Sequence, residues 1–276
     1  MQVQFSDNVS TLQPSAIREI LKFTSMPGVI SFAAGNPAPE AFPKETVAKL
    51  SEQLLREDPV LAMQYSLTEG YTPLRDALKQ RMAAQHCFQP DVDDLIITSG
   101  AQQGNELTCK VLLNRGDTLI CEAPSFIGSL NAFKSYGVNL VGIPMEADGM
   151  DLAALETALQ TQPSCKLIYV IPNFQNPTGQ TMSLEKRKGL YALACKYNVL
   201  ILEDNPYGDL RFAGEAVPSI KSLDTENRVV YGNLLQDSGT WFPSWLCQRS
   251  GCHTAKNHCM QAGFRCTLQH LGTGNL

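Results

Sequence analysis

The feature that most constrains the fold is a regular alternation of short apolar segments with amphipathic segments, which begins at about Ala41. The apolar segments have strand length, and they cover residues 95–98, 118–121, 139–143, 166–171, 199–202 and 228–231. The amphipathic segments have helical spacing, and they cover residues 72–85, 104–114, 125–136, 152–161 and 183–196. Strands that alternate with helices are typical of βαβ units. The pattern therefore predicts an α/β fold with a mainly parallel sheet covered by helices.

The composition argues against several classes of function. Hydrophobic residues make up 43% of the 276 residues and charged residues 18%, as in an ordinary soluble enzyme. The net charge is −5, whereas nucleic acids and anionic membrane surfaces require a basic face on the protein. The sequence contains neither an apolar run of the ~20 residues that span a bilayer nor the pattern of a signal peptide at its start. We therefore expect a cytoplasmic protein without nucleic-acid or membrane partners.

Two segments that follow predicted strands have features of a cofactor site. The segment SGAQQG, which begins at Ser99, follows one strand and opens a helix. Small residues there let backbone N–H groups and the helix dipole meet a phosphate, although a purely structural turn explains the segment about as well. The segment EAPSF follows the next strand and contains Phe126, which could stack on a flat heteroaromatic ring or belong to the core.

Two further strand ends carry polar side chains. Asn176 lies in PNFQNPTG, where it either hydrogen-bonds a phenolic oxygen of a cofactor or serves as a turn former. Asp204 lies in EDNPY, directly after an apolar strand. A carboxylate there is costly to bury without a cationic or hydrogen-bonded partner, and a protonated pyridine nitrogen is such a partner. Since ligands of open α/β sheets bind outside the carboxyl ends of the strands, the four segments together predict one site.

In this order, SGAQQ, EAPSF, PNFQNPTG and EDNPY resemble the class I and II aminotransferases of pyridoxal phosphate (PLP) fold type I, especially the 2-aminoadipate and kynurenine aminotransferase subgroup. The resemblance implies the large PLP-binding domain of that fold and a homodimer. It implies a phosphate site at Gly100, Ala101 and Gln102, a ring stacked on Phe126, contacts to the ring O3′ from Asn176 and Tyr207, and Asp204 on the pyridine nitrogen as the catalytic carboxylate. It also implies that Tyr65 reaches the phosphate of the partner subunit, and that Gly35, Asn36 and Asn176 lie near the substrate.

The chain divides into three parts on this interpretation. Residues 1–40 form an N-terminal arm and an irregular substrate loop, because the segment FAAGNPAPEAFP at 32–43 is rich in Gly and Pro. Residues 41–232 form the PLP-binding large domain, and residues 233–276 are a non-native tail. In the family, S-x-S-K follows the strand that ends here at Gly232, and its lysine forms a Schiff base with the cofactor. This sequence has no lysine between Lys221 and Lys256, so the Schiff-base lysine is absent.

Residues 233–276 have two interpretations. A zinc site would draw on a group of cysteines and histidines whose spacings resemble no standard ligand pairing. These are Cys247, Cys252, His253, His258, Cys259 and Cys266. Alternatively, a one-base slip in the reading frame explains the tail, since permitted codons for 233–246 read one base later give TFSKILAPGFRVG, which resembles the lysine motif of the family. We expect the second, with the small C-terminal domain missing.

The resemblance implies transamination between an amino acid and a 2-oxo acid, with 2-oxoglutarate as the expected acceptor. Because the lysine also moves the substrate proton in the family, we expect the 276-residue chain to be inactive. A β-lyase of the same fold shares the phosphate, Asn and Asp sites and stays an alternative. The aminotransferase-like domain of a MocR-type regulator is another, but such regulators carry a DNA-binding domain for which the N-terminal segment is short.

Overall fold

The structure is a computed structural model, and it describes residues 6, 23, 26–30, 39–234 and 244–250. Gly35 and Asn36, which were predicted to lie near the substrate, fall outside the described residues. Most of the predicted tail and most of the cysteines and histidines of the alternative zinc site also fall outside them. No described helix is long and apolar enough to cross a membrane.

The described part of the chain contains seven α-helices and eight strands. The helices are α1 (Lys44–Glu57), α2 (Pro59–Met63), α3 (Thr72–Ala84), α4 (Ala101–Leu112), α5 (Ile127–Ser135), α6 (Leu152–Thr161) and α7 (Leu184–Lys196). The strands are β1 (Asp93–Ser99), β2 (Thr118–Ala123), β3 (Asn139–Glu146), β4 (Gly149–Met150), β5 (Cys165–Val170), β6 (Leu200–Asp204), β7 (Val229–Leu234) and β8 (Ser244–Ser250). Every predicted strand and helix therefore has a counterpart.

The strands form one sheet in the order β1-β8-β7-β6-β5-β2-β3-β4. Strands β7, β6, β5, β2 and β3 are parallel to their neighbours in that series. β8 runs antiparallel to both β1 and β7, and β4 runs antiparallel to β3. Parallel strands need crossover connections, and α5, α6 and α7 lie in those that lead to β3, β5 and β6. The prediction of a mainly parallel sheet covered by helices is confirmed.

Two apolar clusters cover opposite faces of the central strands, because successive side chains of a strand point to opposite faces. On one face, Ile168 and Ile201 pack with α6 and α7. On the other face, Leu167 and Leu202 pack with α4 and α5. The helices begin where sequence chemistry favours it: Asp151 caps α6 by accepting from two backbone N–H groups, and Ser183 caps α7. The central strands are thus buried on both faces.

A buried ion triad fixes the segment that precedes β7. The Lys221 Nζ lies 2.9 Å from Asp93 Oδ1 and 3.0 Å from Asp224 Oδ2, and all three side chains are almost fully buried. Burial raises the pKa of the Asp224 carboxyl, but hydrogen bonds from backbone N–H groups and the Lys221 charge outweigh it, so the pKa is lowered. The triad therefore joins β1 to the 3-10 turn at Lys221–Leu223, a link that the sequence pattern does not show.

Four described elements were not predicted. α1, α2, β4 and β8 are absent from the predicted pattern, since α1 is mostly polar and β4 has two residues. The segment 32–43, expected to be irregular, includes a 3-10 turn at Pro39–Ala41. β8 lies within the predicted non-native tail, and whether that segment is a frame-slip product stays a prediction.

Candidate functional site

The strand ends that carry the predicted site residues lie at one edge of the sheet. The pairing register aligns Cys121 with Tyr169, Val170 with Glu203, and Asp204 with Gly232. The last residues of β2, β5, β6 and β7 are therefore nearly level. β1 runs parallel to β7 with β8 between them, so its carboxyl end reaches the same edge. All four predicted segments consequently leave the sheet on one side.

The turn between β1 and α4 is the predicted phosphate loop. Gly100 caps α4 with φ 84°, a left-handed conformation that glycine adopts without steric cost. The Ser99 backbone N–H donates to the side chain of Gln103, which closes the turn. Ala101 and Gln102 occupy the first turn of α4, where helix N–H groups lack acceptors within the helix. The turn can therefore present backbone N–H groups and the positive end of the helix dipole to an anion.

Glu122 is a carboxylic acid buried near the end of β2. Its Oε2 accepts hydrogen bonds from the Ile171 backbone N–H and from Gln175 Nε2, both at 3.1 Å. Burial raises the pKa of the Glu122 carboxyl to about 8, the two hydrogen bonds lower it, and the negative charge of Asp204 raises it. Glu122 is thus mainly neutral at pH 7 and ties β2 to the segment after β5.

Phe126 lies at the start of α5, where 38% of the residue is exposed. A Cβ at Gly128 would lie 2.6 Å from the Phe126 ring, so the glycine leaves room for the ring to rest on the first turn of its own helix. The adjacent Ser125 Oγ is buried and has no hydrogen-bond partner among the described residues. An exposed ring and an unused hydroxyl oxygen are features of a surface that binds a ligand.

Gln175 organises the turn that contains Asn176. Its Nε2 also donates to the Pro124 carbonyl oxygen at 2.8 Å, and its Oε1 accepts from the backbone N–H and the hydroxyl of Thr178. The next residue, Asn176, donates from Nδ2 to the Tyr207 hydroxyl oxygen at 3.2 Å. The amide of Asn176 and the phenol of Tyr207 are therefore brought together, as expected if both contact one cofactor oxygen.

Arg187 of α7 binds the start of the segment that contains this turn. The residue is fully buried, and its guanidinium donates five hydrogen bonds, one for each N–H that the group carries. The acceptors are the carbonyl oxygens of Met182, Val217, Pro218 and Pro172 and the Oδ1 of Asn173. Burial lowers the pKa of the guanidinium, although Glu203 raises it. The arginine therefore acts as a structural anchor for the segment after β5.

Asp204 is the last residue of β6, and it is 3% exposed. The Tyr169 hydroxyl donates to Asp204 Oδ2 at 2.8 Å. The neighbouring Glu203 points to the other face, where its carboxylate accepts from the backbone N–H groups of Ile220 and Lys221. Of the two acids in EDNPY, the structure thus places Asp204 on the face of α4 and α5.

An apolar cleft of about 370 Å³ opens beside the Asn176–Tyr207 pair. Its walls include Phe174, Pro177, Leu210 and Phe212 together with that pair. The Arg211 guanidinium lies 4.6 Å from the centre of the Phe174 ring, a distance typical of a cation–π contact. A cleft of this kind can take an apolar or aromatic group of a ligand whose polar end meets Asn176 and Tyr207.

Comparison with known proteins decides the family. The model of the family "Aminotransferase class I and II" matches residues 27–233. The chain belongs to this family. It is 42% identical to aromatic-amino-acid aminotransferase 1 of Thermococcus litoralis, over 82% of this chain and 55% of that protein. It is 39% identical to 2-aminoadipate transaminase of Thermus thermophilus, over 80% of this chain and 54% of that protein.

A solved structure shows the same fold. Pyrococcus horikoshii kynurenine aminotransferase, in complex with PMP, KYN and KYA, matches with a TM-score of 0.87 and 34% identity, over 97% of this chain and 68% of that chain. The chain spans about half the length of the curated relatives that it matches. The resemblance seen in the sequence, fold type I and the PLP cofactor of this aminotransferase family are confirmed.

The residues at the strand-end edge fit PLP by their chemistry. A buried carboxylate suits the pyridine nitrogen, an amide and a phenol suit a phenolic oxygen, and a helix start after a glycine turn suits the phosphate. Tyr65 lies after α2 rather than at a strand end, and it is 79% exposed. No group of metal-ligating side chains occurs among the described residues.

Sequence reasoning gave no role to Glu122, Tyr169 or Gln175, which hold the predicted site residues in place. The run of charged residues at 185–188 predicts a solvated helix face, and this is wrong for Arg187, which is fully buried and holds the segment after β5. For Tyr169 a signal existed. A tyrosine inside the apolar strand LIYVI needs a partner for its hydroxyl group when it is buried. The other three positions could not be found from one sequence, because each acts through contacts with segments far away in the chain.

Proposed function

We propose that the strand-end edge binds PLP, and that the parent activity is transamination of an amino acid with a 2-oxo acid. The observation that carries the proposal is the convergence of a buried carboxylate, Asp204, with the Asn176–Tyr207 pair and the Gly100 turn at one edge of the sheet. Family membership supports it. Each residue then has a separate task.

Asp204 holds the proton on the pyridine nitrogen, and Asn176 and Tyr207 contact the ring oxygen O3′. The backbone N–H groups of Ala101 and Gln102, set by the Gly100 turn, bind the phosphate. Phe126 covers one face of the ring. When bound, PLP supplies an electron sink for negative charge that develops at the substrate Cα. Because Asp204 is buried, its charge is little screened by water and its effect on the ring nitrogen is strong.

The amino donor carries an apolar or aromatic side chain. The cleft walls Phe174, Leu210 and Phe212 support this assignment, since they offer carbon surface and few polar groups. The names of two similar proteins, an aromatic-amino-acid and a kynurenine aminotransferase, agree with it. Asn176 serves the substrate as well as the cofactor, and roles of Gly35 and Asn36 near the substrate stay predictions. The acceptor is a 2-oxo acid, for which 2-oxoglutarate stays the prediction.

A second subunit completes the site through Tyr65, whose 79% exposure allows it to meet a partner. This homodimer and the cytoplasmic location both stay predictions. The 276-residue chain binds PLP without turning it over, because the sequence has no lysine between Lys221 and Lys256 to carry the proton at Cα. Sequencing the DNA across codons 225–280 tests the frame-slip interpretation: a recovered base restores the lysine motif, and an unchanged sequence removes that explanation.

Equilibrium dialysis of the purified chain against PLP tests the proposed site. Wild type should bind PLP, and Asp204→Asn should weaken binding about 10-fold or more, since a neutral amide pairs poorly with a protonated nitrogen. Asp76→Asn, on the exposed side of α3, is the matched control and should bind like wild type. Equal binding by Asp204→Asn and wild type would contradict the role of Asp204. Absence of PLP binding by wild type would contradict the proposal for this chain.

A further inference from the structure

A line of buried side chains leads from α4 through α5 and β5 to Asp204. Asn105 Nδ2 donates to Ser129 Oγ at 2.8 Å, and Ser129 Oγ lies 3.0 Å from the Tyr169 hydroxyl oxygen. That hydroxyl lies 2.8 Å from Asp204 Oδ2. All four residues are at most 3% exposed. The Asp204 carboxylate is therefore held by a chain of hydrogen bonds that begins in α4 and passes through α5 and β5.

The hydrogens in this line can point in only one direction. A phenol carries a single proton, so Tyr169 cannot donate to Asp204 and Ser129 at once. An ionised carboxylate only accepts, so the phenol proton goes to Asp204. Ser129, which accepts from the Asn105 amide, is then left to donate its own proton to the Tyr169 oxygen. Each donor thus reinforces the next, and the line ends on the carboxylate.

Tyr169 is well suited to hold this geometry. The residue is fully buried, and its ring packs edge-on against Phe133 with 5.0 Å between the ring centres. Burial and the nearby Asp204 charge raise the pKa of the phenol well above its usual value, so the donor proton stays in place. Glu122 of β2 also influences the phenol electrostatically, but its own hydrogen bonds go to Gln175 and the Ile171 N–H.

We propose that Tyr169 is a positioning residue that orients Asp204 and favours its ionised form through the Asn105–Ser129–Tyr169 line. This inference rests on the proposed role of Asp204 at the pyridine nitrogen. A carboxylate that accepts a hydrogen bond from a buried phenol is stabilised relative to the protonated acid. The phenol therefore keeps Asp204 charged, which is the state that a protonated ring nitrogen requires.

Carbon-13 NMR titration of the aspartate carboxyl groups in the protein without cofactor tests the inference, with Asp204→Asn used to assign the signal. Tyr169→Phe keeps the ring and its contact with Phe133 but removes the donor. Its Asp204 titration midpoint should rise by about one to two pH units, because a hydrogen bond to a charged group is lost. Ser129→Ala should move the midpoint in the same direction by less, since Tyr169 remains.

Tyr197→Phe is the matched control, because its phenol also donates to a carboxylate, that of Glu156, at the α6–α7 surface. It should leave the Asp204 midpoint unchanged. In PLP dialysis, Tyr169→Phe should bind about 10-fold more weakly than wild type, with the largest loss at low pH. An Asp204 midpoint that does not move in Tyr169→Phe would overturn the inference, even if wild type binds PLP. Absent PLP binding by wild type would instead count against the proposed function, while the titration still decides the role of Tyr169.

Discussion

Replacement of Glu122 by Gln should change how stability depends on pH. The pKa of this carboxyl is raised from 4.5 to about 8 in the folded protein, chiefly by burial. Between those two values the folded state holds a proton that the unfolded state has released. Stability therefore falls as pH rises through this window, by 1.36 kcal/mol per unit at most. Across the whole window, the free energy of unfolding falls by roughly 5 kcal/mol.

The glutamine variant lacks this dependence. Its amide oxygen can take the place of Oε2, which accepts both hydrogen bonds, while its nitrogen takes the place of Oε1, which has no partner among the described residues. The unused amide donor costs about 1–3 kcal/mol at every pH. The informative quantity is therefore the change with pH: relative to wild type, Glu122→Gln should gain about 2 kcal/mol between pH 6.5 and pH 9.

Urea unfolding at pH 6.5 and pH 9 measures this gain, at values away from the sequence pI of about 5.4. Buried thiols also titrate differently in the folded and unfolded states, since burial raises the pKa of Cys87 to about 12, but their effect cancels in the difference between variants. Glu185→Gln, on the exposed side of α7, is the control and should follow wild type. Parallel pH profiles for wild type and Glu122→Gln would refute the reasoning, because they would mean that Glu122 is not protonated in the folded state at pH 6.5.

Three further substitutions have expected outcomes. Arg187→Lys keeps the charge but offers three donors where five are used, so urea unfolding should show a loss of about 3–5 kcal/mol. Lys221→Met leaves two carboxylates buried without their cation and should cost about 3–5 kcal/mol in urea unfolding at pH 7. Gly128→Ala should displace the Phe126 ring and weaken PLP binding several-fold in dialysis, with little change in the thermal unfolding midpoint.

The sequence pattern was sufficient for the central part of the fold. Six predicted strands and five predicted helices have counterparts because buried parallel strands read as continuous apolar runs, and the helices between them must be amphipathic. The observed bounds differ from the predicted ones by a few residues where polar residues extend an element. β1, for example, begins at Asp93, whose buried side chain pairs with Lys221. Such boundaries depend on partners far away in the chain, and the periodicity of the sequence does not reveal those partners.

The site could be predicted only as a set of strand-end segments. Asn176 and Tyr207 were each placed near the same cofactor oxygen by family resemblance, and the structure brings their side chains to 3.2 Å. The contacts that support these residues could not be predicted from the sequence, for a physical reason. Gln175 lies beside Asn176 in the sequence, but its partners Glu122 and Pro124 are about 50 residues away, and only the sheet register joins them.

The three acids at this edge show why local sequence does not determine charge. Glu122, Glu203 and Asp204 all end apolar strands, and all are buried. Glu203 accepts hydrogen bonds from two backbone N–H groups on the opposite face of the sheet. These bonds hold the segment before β7 in place, so the role of Glu203 is structural. Glu122 and Asp204 influence each other electrostatically, and two carboxylates in one poorly solvated region do not both stay charged at little cost. Burial raises the pKa of the Glu122 carboxyl to about 8, so Glu122 takes the proton at neutral pH. Asp204 instead accepts a hydrogen bond from the Tyr169 phenol, and such a bond favours the carboxylate that a cationic ring nitrogen needs.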